Sequence, residues 1–182
     1  GTVVDAAIVD GSAHMMNLLM TLRQTGPQHS DRGASLLDGP HWSRSYACAD
    51  GGFISVQCLE PKFYAIFLDV LDLTDDPDFA SQFDANSWPR AMGRLTGLFA
   101  AHPRDHWARA FAGTDACTAP VLSPDEARDH DLSVERGIWH TKGHLQAAPA
   151  PRFDNQTIVP GEPPERGAHT AEILAELRCQ NE

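Results

Sequence analysis

Hydrophobic positions at the start of the chain repeat at helical spacing. Between Val3 and Gln24, apolar residues recur every three or four positions, at Val4, Ile8, Met15, Leu18, Leu19 and Leu22. Thr2 is placed to cap this helix and Gly26 to end it. Because apolar side chains cover much of its circumference, the helix requires a partner surface on another domain or subunit. With glycine rather than methionine at position 1, the pattern predicts a fragment of a larger protein.

A polar, irregular stretch, residues 26–39, predicts a linker, and a hairpin signal follows it. Two β-prone runs, Tyr46–Ala49 and Phe53–Cys58, flank the turn sequence Asp50-Gly51-Gly52. An Asp-Gly pair supplies the positive φ that tight hairpin turns require. We therefore expect two antiparallel strands joined at this turn.

Three helices and one more strand are predicted next. Pro61, the segment Ser87-Trp88-Pro89 and Pro103 each stand at a helix start. The apolar face of the first helix consists of Phe63, Ile66, Phe67, Val70 and Leu71. That of the second consists of Met92, Leu95, Leu98 and Phe99, and that of the third of Trp107, Ala110 and Phe111. A strand is predicted within Cys117–Leu122. Because helices and strands mix without strict alternation, the pattern indicates an α+β fold: a small mixed domain with an antiparallel hairpin and packed helices.

The last third of the chain is less regular. Ser123-Pro124-Asp125-Glu126 predicts a short capped helix. From Gly143 to Pro164 the chain is rich in proline and alanine, which predicts a segment that wraps across a surface. Residues His169 to Leu177 predict one short helix.

Composition narrows the function classes. The formal charge is −11, from 25 acidic and 14 basic residues, so the surface repels polyphosphate backbones and offers no basic patch to an anionic membrane. Nucleic acid and membrane partners are not expected, and neither a transmembrane segment nor a signal peptide is recognisable. The four cysteines (Cys48, Cys58, Cys117 and Cys179) are widely separated and lack zinc spacing. We therefore expect reduced thiols, no metal site and a cytoplasmic location.

Several residues resemble parts of metal-binding or nucleophilic motifs, but their sequence context argues against these roles. His102 and His106 are four residues apart, but Pro103 starts the helix between them, so solvated histidines at a helix end are expected. No serine lies in a GxSxG nucleophile elbow, and the nearest candidate, Ser12 after Gly11, lies inside the long apolar helix. Cys117 precedes a predicted strand, where a buried small hydrophobic residue is the usual occupant. Nucleophilic catalysis by Ser12 or Cys117 is therefore not expected.

Glu60 occupies a more informative position. It lies between the end of an apolar strand and Pro61, which starts a helix. A carboxylate at such a junction projects from the end of a sheet toward a helix N-terminus. Spacing alone favours stabilisation of the helix dipole over a functional role.

The order of several motifs resembles a known family. The segments are Gly1–Gly11 (GTVVDAAIVDG), Arg32-Gly33, Leu37-Asp38-Gly39, Tyr46, Ala49-Asp50-Gly51, Leu59–Tyr64 (LEPKFY), Asp115-Ala116-Cys117, Pro120-Val121-Leu122, Ala150–Phe153 (APRF), His169-Thr170 and Ile173-Leu174. They resemble, across nearly the whole chain, the C-terminal half of the alpha-methylacyl-CoA racemases of the family III CoA-transferase superfamily.

This resemblance implies a domain organisation. Family members combine a large Rossmann-like CoA-binding domain with a small α+β domain, and two subunits interlock as a dimer. By similarity, residues 1–25 are a helix of the large domain, 26–39 a linker and 40–125 the small domain. Residues 126–164 are a returning linker and 165–182 a C-terminal helix of the large domain. Most of the large domain is then absent from this chain, which implies either a homodimer of a longer chain or a complementing N-terminal half.

The resemblance also implies a reaction. Racemases of this family move a proton at the α-carbon of a 2-methylacyl-CoA thioester, with acyl-CoA as the substrate and no cofactor. A His and an Asp exchange the proton, and a Glu of the small domain supports the His. Glu60 matches that Glu, whereas the His and the Asp precede Gly1 in family order. By this reasoning the chain alone is inactive.

Departures from the family pattern affect the substrate pocket. The family has a Gly-Gly-x-Pro-x-Tyr run after Leu-Asp, where this chain has Gly39-Pro40-His41-Trp42-Ser43-Arg44 and is one residue shorter. Ser43 and Arg44 replace a family tyrosine and acid, and with Tyr46 they are expected to bind substrate. Two alternatives stay open: half of a family III CoA-transferase, which moves CoA between carboxylic acids, or a non-catalytic dimerisation domain.

Overall fold

The computed structural model describes residues 1–26, 29–140, 145–156, 158–159, 161 and 163–179. The chain divides into two compact units, Gly1–Val121 and Leu122–Glu182. In the described part of the chain, none of the helices combines the length and the apolar character needed to cross a bilayer.

The first unit begins with two short helices. Helix α1 (Ile8–Met15) and helix α2 (Asn17–Thr25) are separated by a break at Met16. The predicted end is confirmed, because Gly26 adopts the left-handed conformation, with φ of +101°. The predicted start at Thr2 and Val3 is wrong: residues 1–7 are not helical and Ala7 is the N-cap. β-Branched valines have low helix propensity, and Val3, which is 94% exposed, has no packing to compensate.

Part of the predicted linker folds back on itself before the sheet. Both carboxylate oxygens of Asp38 accept backbone hydrogen bonds, from Gly33 N at 2.8 Å and Ser35 N at 3.1 Å. A Cβ at Gly39 would lie 2.6 Å from the Gly33 carbonyl oxygen and 2.9 Å from the Trp88 ring. Only glycine fits this close approach, which leads the chain into the sheet.

A three-stranded antiparallel sheet is the centre of the first unit. Strands β1 (Ser43–Ala47), β2 (Phe53–Gln57) and β3 (Thr118–Val121) lie in the order β1-β2-β3. The predicted hairpin is confirmed, with Gly51 at φ of +81° in its turn. Strand β1 ends one residue before Cys48, whose N–H donates to the Gly52 carbonyl as part of the turn.

Three helices complete the first unit: α3 (Pro61–Val70), α4 (Trp88–Phe99) and α5 (Arg104–Phe111). All three predicted helix starts are confirmed to within one residue. The prediction that Ala110 faces inward is wrong. Helix α5 buries Trp107 and Phe111, which are four residues apart, and Ala110 lies outside that stripe.

Aromatic side chains fill the space between the sheet and the helices. Tyr46 of β1 stacks on Phe99 of α4, with ring centroids 5.1 Å apart. Phe67 of α3 stacks on Phe111 of α5 at 5.8 Å. Ile54 projects into the same core from β2 and is fully buried. The observed sheet and helices confirm the predicted α+β class.

The second unit contains short elements. They are α6 (Pro124–Asp129), α7 (Asp131–Glu135), the antiparallel pair β4 (Trp139–His140) and β5 (Gln146–Ala147), and α8 (Thr170–Cys179). The capped helix is confirmed, because Ser123 and Glu126 exchange the two hydrogen bonds of a capping box. The C-terminal helix is also confirmed. Gly143 and residues 180–182, which belong to predicted segments, lie outside the described residues.

Candidate functional site

The candidate site lies at the end of the sheet opposite the hairpin turn, where β1 begins and β2 ends. Ser43, the first residue of β1, is paired with Gln57, the last residue of β2. On the other side of β2, Gln57 N donates to the Cys117 carbonyl at 3.0 Å. Glu60 follows Gln57 by three residues. The antiparallel topology therefore brings Ser43, Cys117 and Glu60 to the same end of the sheet.

Glu60 has an exposed carboxylate at this end of the sheet. It is the N-cap of α3, with an extended backbone (φ −75°, ψ 135°), and its carbonyl accepts hydrogen bonds from the N–H groups of Phe63 and Tyr64. Its side chain is exposed and makes no capping hydrogen bond. The predicted position at a strand–helix junction is confirmed, whereas the carboxylate does not cap the helix by a hydrogen bond. It is therefore accessible to a donor from outside α3.

Cys117 is the thiol beside this carboxylate. Partial removal of the sulfur from water is the main cause that raises the pKa of this thiol, although the residue is exposed, and the negative charges of Glu60 and Asp115 raise this pKa further. A raised thiol pKa leaves little thiolate at neutral pH, in line with the exclusion of Cys117 as a nucleophile. The expectation that Cys117 is a buried hydrophobic residue is wrong. Ala116 occupies the buried position, and Cys117, with φ of +48°, is exposed.

The three residues expected to bind substrate lie on β1 but not on one face. The Ser43 hydroxyl donates to Gln57 Oε1 at 3.0 Å, and the Arg44 guanidinium contacts the sulfur of Met92 in α4. Tyr46 is 3% exposed, and its hydroxyl donates to the His41 carbonyl at 2.5 Å. Because side chains alternate along a strand, Arg44 and Tyr46 share the core side and Ser43 the opposite side. Substrate binding by these residues stays a prediction.

His41 is a fully buried histidine in the core of the first unit. Its Nε2 lies 2.8 Å from the Tyr64 hydroxyl, which donates its own hydrogen to the Phe79 carbonyl at 3.1 Å. Burial lowers the pKa of His41 to about 4, so the ring is neutral at pH 7. Within the described residues, His41 Nδ1 has no hydrogen-bond partner. Its burial makes His41 a core residue rather than a base that reaches substrate.

His102 and His106 lie at the other end of the sheet. The His102 carbonyl accepts the N–H of Ala49 in the hairpin turn, 3.0 Å away. The two imidazole rings stack with centroids 4.1 Å apart. As predicted, Pro103 separates them, since α5 begins at Arg104. Across the residues that the structure describes, no three His, Cys, Asp or Glu side chains converge into a metal-binding group.

Sequence analysis missed the buried amide that holds the Glu60 junction. Gln82 Nε2 donates to the carbonyls of Cys58 and Leu59, the two residues that precede Glu60. Gln82 lies in an irregular stretch between α3 and α4, where no periodic pattern marks it. A glutamine within such a polar stretch carries no local signal, because its partners are 23 and 24 residues away.

Relatives with curated names match the entire chain. Alpha-methylacyl-CoA racemase of Mus musculus is 35% identical over 188 residues, covering 100% of this chain and 49% of that protein. Alpha-methylacyl-CoA racemase of Homo sapiens is 34% identical, with the same two coverages. The chain therefore spans about half the length of these curated relatives.

Solved structures show the same fold. The crystal structure of a CAIB/BAIF family protein from Brucella suis superposes with a TM-score of 0.62 at 18% identity, covering 97% of this chain and 48% of that one. A sequence profile described as CoA-transferase family III matches residues 1–170. The resemblance found in the sequence motifs is thereby confirmed, and the chain belongs to CoA-transferase family III.

Proposed function

We propose that this chain is the C-terminal part of an acyl-CoA racemase that acts on 2-methylacyl-CoA thioesters. The observation that carries the proposal is the whole-chain identity of 34–35% to two proteins named alpha-methylacyl-CoA racemase, of which it covers 49%. In this proposal the N-terminal half contains a Rossmann-like CoA-binding domain, and residues 40–125 form the small domain. The exposed apolar side chains of α1, α2 and α8 then pack against that larger domain.

The proposed reaction is a 1,1-proton transfer. A base removes the α-proton, and the electron pair of the broken C–H bond moves into the thioester to form an enolate. An acid on the other face then returns a proton to the same carbon. The substrate leaves with inverted configuration and unchanged composition, and the reaction uses no cofactor beyond the acyl-CoA itself. The His and the Asp that exchange the proton belong to the N-terminal half.

Glu60 supports the catalytic His in this mechanism. A carboxylate that accepts an imidazole N–H holds the tautomer in place and increases the basicity of the other ring nitrogen. The exposed Glu60 side chain, which makes no capping hydrogen bond, is suited to accept such a hydrogen bond from outside the small domain. Ser43, Arg44 and Tyr46 are the proposed contacts of the small domain to substrate.

The test is α-proton exchange of 2-methylacyl-CoA in D₂O, with the chain alone and after addition of a complementing N-terminal half. Exchange is expected only in the reconstituted protein. Glu60→Gln is expected to reduce it about 100-fold or more, the usual range for loss of acid–base support. Asp115→Asn is the matched control, because Asp115 is the other carboxylate whose charge raises the Cys117 pKa. Equal losses in both variants would count against the assignment of Glu60.

The principal alternative is half of a family III CoA-transferase, favoured by the description of the family profile that matches residues 1–170. Such an enzyme requires an acceptor acid and forms a covalent acyl-aspartyl anhydride. Addition of a carboxylic acid acceptor to the reconstituted protein separates the two functions. New acyl-CoA without α-proton exchange would indicate CoA transfer, and neither activity would indicate a non-catalytic dimerisation domain.

A further inference from the structure

Gln82 is a buried glutamine that connects three separate parts of the small domain. Its side-chain amide donates to the Cys58 carbonyl at 3.0 Å and to the Leu59 carbonyl at 2.8 Å. Its backbone carbonyl accepts both indole N–H groups of Trp42 and Trp88, each at 2.9 Å. The residue is only 8% exposed. Both ends of Gln82 are therefore fixed by hydrogen bonds in the interior.

The two carbonyls that Gln82 pairs lie where the sheet ladder has ended. Strand β2 stops at Gln57, and the carbonyls of the next two residues lie beyond the regular strand pairing and accept from Gln82 instead. An unpaired carbonyl in the interior, such as that of Cys58, is costly, and the two hydrogens of a primary amide allow Gln82 to satisfy the partly buried Leu59 carbonyl as well. The amide of Gln82 thus determines the path of the chain between β2 and Glu60.

A backbone hydrogen bond closes this arrangement. Cys58 N donates to the Trp42 carbonyl at 3.1 Å, while the Trp42 indole donates to the Gln82 carbonyl. Trp42, Gln82 and Cys58 therefore form a ring of hydrogen bonds directly before Glu60. On the far side, the Glu60 carbonyl is held by the first turn of α3. With its backbone fixed on both sides, Glu60 has a defined position although its side chain is exposed.

We infer that Gln82 is a positioning residue for Glu60 in the proton-transfer reaction. This inference rests on the proposed function, because it assigns a purpose to the placement of the Glu60 carboxylate. Gln82 does not contact substrate; it acts by holding the strand–helix junction that presents Glu60. Displacement of a supporting group by about 1 Å is enough to slow a reaction about 100-fold, so a junction held by hydrogen bonds matters to the rate.

The test compares two substitutions in the reconstituted protein. Gln82→Met keeps the size of the side chain and removes both donors. Trp88→Phe removes one hydrogen bond to the Gln82 carbonyl and leaves the amide in place. At a temperature where both variants remain folded, Gln82→Met is expected to lower kcat for α-proton exchange about tenfold or more, with KM within about twofold. Trp88→Phe is expected to keep kcat within about twofold of wild type.

A loss of kcat that is the same in both variants, or absent from Gln82→Met, would overturn the inference. If the wild-type reconstituted protein shows no exchange, the proposed function fails and the positioning role fails with it. Amide hydrogen exchange of the chain alone tests the structural step separately. Gln82→Met is expected to increase exchange at Cys58, Phe63 and Tyr64 about tenfold, without a matching increase in β1. Unchanged exchange at these three amides would show that Gln82 does not hold the junction.

If Gln82→Met does not fold, Gln82→Glu replaces it in the kinetic test. The glutamate has the same shape and donates one hydrogen bond only when it is protonated. Its kcat relative to wild type is expected to fall as the pH rises and the carboxyl ionises. A ratio that is independent of pH would contradict the positioning role.

Discussion

Helices α2 and α4 have similar amphipathic sequences but different surroundings. Helix α4 buries Trp88, Ala91, Leu95 and Phe99 against the rest of the first unit. Neither α1 nor α2 buries a single residue, and Leu18 of α2 is 67% exposed. A periodic pattern thus determines which face of a helix is apolar, while the identity of the covering surface depends on the tertiary structure. For α4 that surface is within this chain, and for α1 and α2 we propose that the N-terminal half provides it.

The largest expected effect is loss of stability in the core around α4. Leu95 is fully buried in α4. Leu95→Ala is expected to lower the free energy of unfolding by about 3 kcal/mol, because it removes buried methyl groups and leaves a cavity. Urea unfolding followed by tryptophan fluorescence measures the change, since Trp88 and Trp107 are both in the core. A loss below about 1 kcal/mol would mean that the core around α4 is much looser than it appears in the structure.

A smaller effect on the free energy of unfolding is expected from protonation of the buried histidine, His41. The pKa of His41 is about 4 in the folded protein, below the ordinary value of 6.5. As the pH falls below 6.5, the unfolded chain therefore binds a proton that the folded protein does not. The contribution of His41 to the free energy of unfolding is therefore greatest above pH 6.5, declines toward pH 4 and is constant below it. Between about pH 7 and pH 5, the free energy of unfolding is expected to fall by about 2 kcal/mol.

Urea unfolding at several pH values tests the role of His41. His41→Gln is expected to remove most of the pH dependence of the free energy of unfolding, whatever its absolute stability. His106→Gln, at an exposed histidine, is the matched control and is expected to retain the wild-type slope. Identical slopes in wild type and His41→Gln would assign the dependence to other groups.

The smallest effect on stability is expected on the exposed face of α2. Leu18→Ala repeats the Leu95 substitution on an exposed helix face and is expected to change the free energy of unfolding by less than about 0.5 kcal/mol. In titration calorimetry with a complementing N-terminal half, the same substitution is expected to weaken association about tenfold, because it removes apolar area from the interface. A large loss of stability in the isolated chain would show that α2 is already covered.

The elements from β1 to β3 were predictable because their signals are local. The turn sequence Asp50-Gly51-Gly52 and the prolines at positions 61, 89 and 103 each act through the backbone of a few neighbouring residues, so they indicate the same structure in any context. The predictions were wrong where tertiary packing, rather than local sequence, determines the structure. The sequence predicts a helix from Val3 with Thr2 as its cap, and a buried Cys117. In the structure the exposed Val3 has no packing to support a helix, and Ala116 rather than Cys117 occupies the buried position.

By itself the sequence determined the fold class, the order of the elements from β1 to α6, the family and the place of Glu60 between a strand and a helix. Each of these follows from local propensity or from motifs in a fixed order. Only the tertiary structure decided which residues share the sheet end with Glu60, that His41 is a neutral core histidine and that Gln82 holds the junction. These relations join residues that are far apart in sequence, and a hydrogen bond between them leaves no periodic pattern along the chain.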